Sequence, residues 1–176
     1  GSFVVSSHSS TITGDNLGKL VINKLDSASL STTLQGAEFE VIKYTLSDDE
    51  SAVETETVTT AENNTTDESG VLKVAVEAGC LYSWEEKAAP DGYVLEEAKN
   101  YFIVYNDIVT KADAEALVAK IKNVSGYENI NVTYSEETIN KTVTNTKKLT
   151  GSAQLTIQKT FENGQVLSDA EKAKIT

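Results

Sequence analysis

The sequence has few of the residues that most often carry chemistry. In 176 residues it contains one cysteine, one histidine, one proline, one tryptophan and no methionine. A lone Cys80 cannot close a disulfide within the chain, so any covalent staple must be of another kind. A lone His8, set in a Ser/Thr-rich N-terminal stretch, removes the usual basis for Ser–His–Asp catalysis or a His-rich zinc site. No apolar run approaches the length of a membrane-spanning helix, and no signal peptide opens the sequence. Positive charge is short as well: 15 Lys+Arg stand against 27 Asp+Glu, a formal net charge of −12. Such a chain repels phosphate backbones and anionic lipid, which argues against nucleic-acid or membrane-surface binding.

What the sequence does have is Thr, Val, Ser and Asn, a composition that reads as an all-β surface domain. Its most informative stretch runs from Tyr82 to Tyr93 and holds the only Trp and the only Pro. On a strand, Tyr82, Trp84 and Glu86 share one face, and Ser83, Glu85 and Lys87 share the other. A carboxylate on the face of two large aromatics is costly to bury as an anion. Glu86 is therefore either wet at the edge of the core, or inside it and protonated. Pro90 ends the strand, and Asp91-Gly92 makes a turn.

Taken in order, residues 1–17 read as a tail or linker, with a short strand at Phe3-Val4-Val5. Residues 18–26 read as the first strand, in which Leu20, Ile22 and Lys24 share a face. From spacing alone, Lys24 sits at the end of that row and snorkels to water. A turn at 34–36 leads into a strand with Ala37, Phe39 and Val41 facing inward. The acidic segment 46–69 contains an edge strand at Val53–Val58. Its Asp48-Asp49-Glu50 cluster lacks the spaced ligands and glycine of a calcium loop, and reads as solvated. Further strands are expected at 71–76, 80–87, 101–105, 129–134 and 138–146. Between them, Thr110 is placed to cap a helix over 111–122, with Ala114, Leu117, Val118 and Ile121 as its apolar stripe. That helix is expected to lie across an open edge or end of the sandwich. In the last strand Val143 and Asn145 share a face, and a buried Asn145 needs partners for its amide unless it is an edge residue. After a linker at 149–152, Gln154–Lys159 repeats the pattern of Lys19–Lys24, and Ser168-x-x-Glu171 matches a capping box. Residues 149–176 thus read as a linker and the opening of a second, truncated module. Five Asn-x-Ser/Thr sequons begin at Asn63, Asn64, Asn123, Asn131 and Asn140, and would matter only in a chain secreted by a eukaryote.

Several of these stretches combine into one resemblance. A strand ending in Lys24, the Gly36-Ala37-Glu38-Phe39 strand and the Thr66-Asp67-Glu68-Ser69-Gly70 turn come first. Tyr82-x-Trp84-x-Glu86-x-x-Ala89-Pro90-x-Gly92-Tyr93 follows, and Val143-Thr144-Asn145-Thr146 closes the set. Together they resemble the Cna B-type domains, immunoglobulin-like modules of Gram-positive surface adhesins and sortase-assembled pilins. The resemblance covers residues 18–148. Trp84 stands where the family motif has Leu, and the 111–122 helix departs from a minimal member.

The resemblance implies an immunoglobulin-like β-sandwich closed by an intramolecular isopeptide bond between Lys24 and Asn145, with Glu86 as the proton shuttle. It implies no cofactor and no metal, and a reaction that occurs once per chain rather than turnover. It implies a structural module of a pilus shaft or cell-surface stalk, outside the cell and attached to the wall or pilus, with neighbouring pilin or stalk modules as partners. The alternative is an adhesin domain that recognises a host surface protein or glycan through the acidic segment or the helix. A binding face should expose an apolar or aromatic patch, whereas the aromatics here lie on strands. Glu85 competes with Glu86 but points the other way. Cys80 has no thioester motif around it and reads as a buried, inert thiol. Lys159 would be the matching lysine of the next module, without an Asn partner in this chain.

Overall fold

The computed structural model describes residues 17–149. The expectations for the N-terminal tail, for Lys159 and for the capping box at Ser168 lie outside the described residues. Within them the elements run β1 (Leu17–Asp26), β2 (Ser29–Thr33), β3 (Glu38–Leu46), β4 (Val53–Thr57), β5 (Val71–Glu77), β6 (Leu81–Ala88), β7 (Asn100–Tyr105), α1 (Lys111–Ile121), β8 (Val132–Glu136) and β9 (Thr138–Asn145). β1 is the hub of one sheet. It pairs antiparallel with β5 and, at Leu25 and Asp26, with β2; it pairs parallel with β9. The other sheet has the order β4-β3-β6-β7-β8, antiparallel except for the β7–β8 pair. The chain passes from β8 in one sheet to β9 in the other through Glu137 alone, whose φ of 62° makes the corner.

Strand alternation builds the core. Leu20 and Ile22 of β1, Val74 and Val76 of β5, and Ile139 of β9 come from one sheet. Phe39, Val41, Tyr82, Trp84, Phe102 and Val104 come from the other and complete a single apolar cluster between the two sheets. Phe39 meets Trp84 edge to face at 6.0 Å, and Tyr82 stacks on Phe102 at 5.6 Å. The described residues form an all-β, immunoglobulin-like sandwich with one helix.

α1 forms where the sequence predicts it. Thr110 accepts from the Asp113 N–H and Asp113 accepts from the Thr110 N–H, a reciprocal cap that satisfies donors otherwise orphaned at a helix start. Its position differs from expectation. Ala114, Val118 and Ile121 pack with Tyr44, Leu81 and Ile103, the outward-facing residues of β3, β6 and β7. The helix therefore covers the outer face of the five-stranded sheet rather than an edge. The cause is that these strands are apolar on both faces. Even Ser83 on that outer side is buried, its hydroxyl 2.9 Å from Tyr44 Oη.

Candidate functional site

The site forms where the first and last described strands run side by side. In the parallel β1–β9 pair Lys24 lies opposite Val143, and Asp26 opposite Asn145. Lys24 and Asn145 are thus diagonal neighbours. β6, in the facing sheet, brings Glu86 to the same end of the core, two residues beyond Trp84. The end of each inward row carries a polar group: Lys24 after Leu20 and Ile22, Glu86 after Tyr82 and Trp84, Asn145 after Val143. The relative exposures of Lys24, Glu86 and Asn145 are 0%, 2% and 0%. Lys24 does not snorkel to water, and Asn145 is not an edge amide.

Contacts among the three are short. Lys24 Nζ donates to Val143 O at 3.1 Å and lies 3.7 Å from Glu86 Oε1. Asn145 Nδ2 donates to the same Oε1 at 3.2 Å and to Val94 O at 3.2 Å. One carboxyl oxygen therefore faces both the amine and the amide nitrogen. Two buried side-chain atoms have no hydrogen-bond partner among the described residues, Glu86 Oε2 and Asn145 Oδ1. Buried polar atoms are nearly always paired, and both exceptions fall in this site. They are complementary in kind once Glu86 carries a proton, since a carboxyl O–H donates and an amide carbonyl accepts.

Burial sets the electrostatics. It pushes the Lys24 amine below its ordinary pKa, against the opposing pull of Glu86. It pushes the Glu86 carboxyl above its ordinary value, against the opposing pull of Lys24. Both shifts favour a neutral amine beside a neutral acid. A neutral amine is a nucleophile, and a neutral carboxyl can move a proton between nitrogen atoms.

The surrounding backbone holds β1 in place. Lys24 N donates to Gly70 O at 2.7 Å, and Lys24 O accepts from Leu34 N at 2.9 Å. Gly70 has φ +75°, and a Cβ there would stand 2.8 Å from Lys24 O, so the turn before β5 requires glycine. Sequence reasoning did not single out Asp26 or Val94, and Tyr93 only as part of the motif. Tyr93 Oη donates to Asp26 Oδ2 at 2.8 Å, and Asp26 is 3% exposed. The available signal was that Asp26 lies two residues beyond Lys24.

Other candidates stand apart from the site. Glu85 turns outward and approaches Lys87 at 3.7 Å. Asp49 Oδ1 accepts from Ser47 and Ser51 within the loop, and Glu50 pairs with Lys120 of α1 at 2.9 Å, so both carboxylates already have partners. Burial pushes the Cys80 thiol up to about 12, and its Sγ lies 3.5 Å from Glu77 Oε1, an environment that suppresses thiolate chemistry. No described helix is long and apolar enough to cross a membrane.

A two-sheet sandwich with a lysine and an asparagine buried on its first and last described strands, faced by a glutamate from the other sheet, defines the class. The prealbumin-like fold domain family designated SpaA matches residues 18–116, and the chain belongs to that family. The match includes Lys24 and Glu86 and ends before Asn145. Among solved structures, the chain is similar to the Bacillus anthracis TIE protein at 24% identity, with 75% of this chain and 18% of that one covered and a TM-score of 0.47. It is similar to the group B streptococcus pilus 2b backbone protein at 24% identity, with 74% and 41% covered and a TM-score of 0.41. It is similar to the major pilin SpaD of Corynebacterium diphtheriae at 21% identity, with 76% and 31% covered and a TM-score of 0.45. The chain thus spans less than half the length of each. No curated protein matches the sequence.

Proposed function

We propose that residues 18–148 form a structural module of a Gram-positive pilus shaft or cell-surface stalk, closed by a self-made isopeptide bond between Lys24 and Asn145. In this reading the module works outside the cell, attached to the wall or pilus, and its partners are neighbouring pilin or stalk modules. Residues 149–176 are a linker and the start of a second pilin-like module. The observation that carries the reading is that Glu86 Oε1 lies within 3.7 Å of Lys24 Nζ and 3.2 Å of Asn145 Nδ2, with all three side chains out of water.

The chemistry follows from those positions. Neutral Lys24 Nζ attacks Asn145 Cγ, and an Nζ–Cγ bond forms. Protonated Glu86 gives its proton to Nδ2 and takes one from the attacking nitrogen. The Cγ–Nδ2 bond breaks and ammonia leaves, with Glu86 returned to its starting state. The fold supplies proximity, since attacker and amide are fixed on neighbouring strands. The reaction happens once, so the product is a cross-linked module and not a turned-over substrate. Peptide mapping of the digested protein tests this. A branched peptide joining the segments that contain Lys24 and Asn145 is expected, and recovery of both segments only as linear peptides would overturn it.

A further inference from the structure

We propose that Tyr93 and Asp26 form a clip that positions the Asn145 amide for attack by Lys24. The inference rests on the bond proposed above and assigns it two positioning residues. An amide nitrogen carries two protons, and those of Asn145 go to Glu86 Oε1 and to Val94 O. These two acceptors fix the plane of the amide. Glu86 is held by a strand. Val94 is not, because it lies in the strand-free segment 89–99 between β6 and β7, and its side chain is exposed.

Three hydrogen bonds hold Val94 in place. Val94 N donates to Thr146 O at 2.8 Å, which ties the segment to the end of β9. Tyr93 N donates to Pro90 O at 3.0 Å, which closes the turn through Gly92 at φ +86°. Tyr93 Oη donates to Asp26 Oδ2 at 2.8 Å, which ties the segment to β1. Asp26 is fixed in turn, because its Oδ1 accepts from Ala28 N at 2.8 Å. Asp26 is also the residue opposite Asn145 in the β1–β9 register, and Ser27 N donates to Asn145 O at 2.9 Å. The contacts make a closed circuit from Asp26 through Tyr93 and Val94 to Asn145 and back across the β1–β9 pair. Among the hydrogen bonds described, it is the Tyr93 hydroxyl that joins the strand-free segment to β1 in that circuit. Without it, Val94 O is tied to β9 alone and moves with the group it should orient. The circuit draws on β1, the 89–99 segment and β9, so it is complete only once β9 has docked.

The test uses the full 176-residue chain, made by cell-free translation and quenched in denaturant at intervals. Intact mass reports bond formation, and limited proteolysis of parallel unquenched samples reports folding. Tyr93→Phe and Asp26→Ala should become protease-resistant on the wild-type schedule but lose ammonia about tenfold more slowly, the kind of penalty a small misplacement carries. Asp26→Asn should react near the wild-type rate, since its oxygen can keep the Ala28 N–H while its NH2 donates to Tyr93 Oη. Tyr93→Phe reacting at the wild-type rate overturns the clip. So does a delay shared equally by folding and mass loss, or a variant that never gains protease resistance, because each makes the contact merely structural. A wild-type chain that folds at full mass overturns the bond itself and the clip with it.

Discussion

Lys24 and Glu86 are ionisable groups that the fold places where neither charge is comfortable, and pH dependence follows from that. The proposed attack needs a neutral amine and a protonated carboxyl. Burial lowers the lysine and raises the glutamate, so both conditions are approached together. As pH falls through the lowered lysine value the amine takes up a proton and the rate drops. As pH rises through the raised glutamate value the carboxyl ionises and the rate drops again. The time course of ammonia loss should therefore give a bell-shaped rate profile, whose two limbs belong to the coupled pair rather than to either residue. Glu86→Gln, which cannot shuttle the proton, should give almost no product at any pH; a profile flat across both limbs would contradict the assignment. Glu86 is legible in the sequence because Tyr82, Trp84 and Glu86 alternate onto one face. Burial of Lys24 is not, since a lysine at a strand end ordinarily reaches water. It is covered here through contacts between residues far apart in the chain, Val143 and Glu86. The Tyr93–Asp26 contact spans 67 positions and leaves no local pattern to read.

At the level of elements, β1 and β9 carry the site and α1 does not. Ile121 is fully buried against the outer face of the five-stranded sheet, on the side away from Lys24. Ile121→Ala should cost about 2–5 kcal/mol, as large-to-small core changes do. It should lower the thermal midpoint, yet leave the intact mass one ammonia below the variant's own sequence value. A bond lost with Ile121 would place the helix in the mechanism. The helix itself is readable from Thr110 and its apolar spacing. Its landing place is not, because that depends on Tyr44, Leu81 and Ile103 emerging together from three strands. β2 escapes sequence reading for a different reason. All of Ser29–Thr33 is exposed, so no alternation marks it. The strand predicted at 129–134 begins only at Val132, since Ile130 packs into the helix-covered cluster from the loop before it.

For the whole molecule, a Lys24–Asn145 bond encloses most of the described chain in a covalent loop. By analogy with a disulfide closing a loop of about 100 residues, it should stabilise the fold by about 4–5 kcal/mol. It would also set the mechanical response. Force applied at the two ends enters along β1 and leaves at the end of β9, and the bond lies directly between them. Single-molecule pulling should show no unfolding step for the bonded module. Glu86→Ala, left unbonded, should release about 120 residues, an extension of about 400 Å at ~3.3–3.6 Å per residue. Equal extensions for the two proteins would contradict the load path. The measurement that bears most directly on the account is the intact mass of the denatured protein. The expected result is a wild-type mass lower than the sequence value by one ammonia, and a Glu86→Ala variant at its own full sequence mass. A wild-type chain at full mass would contradict it, leaving Lys24, Glu86 and Asn145 as a buried polar cluster in a sandwich held together by packing alone.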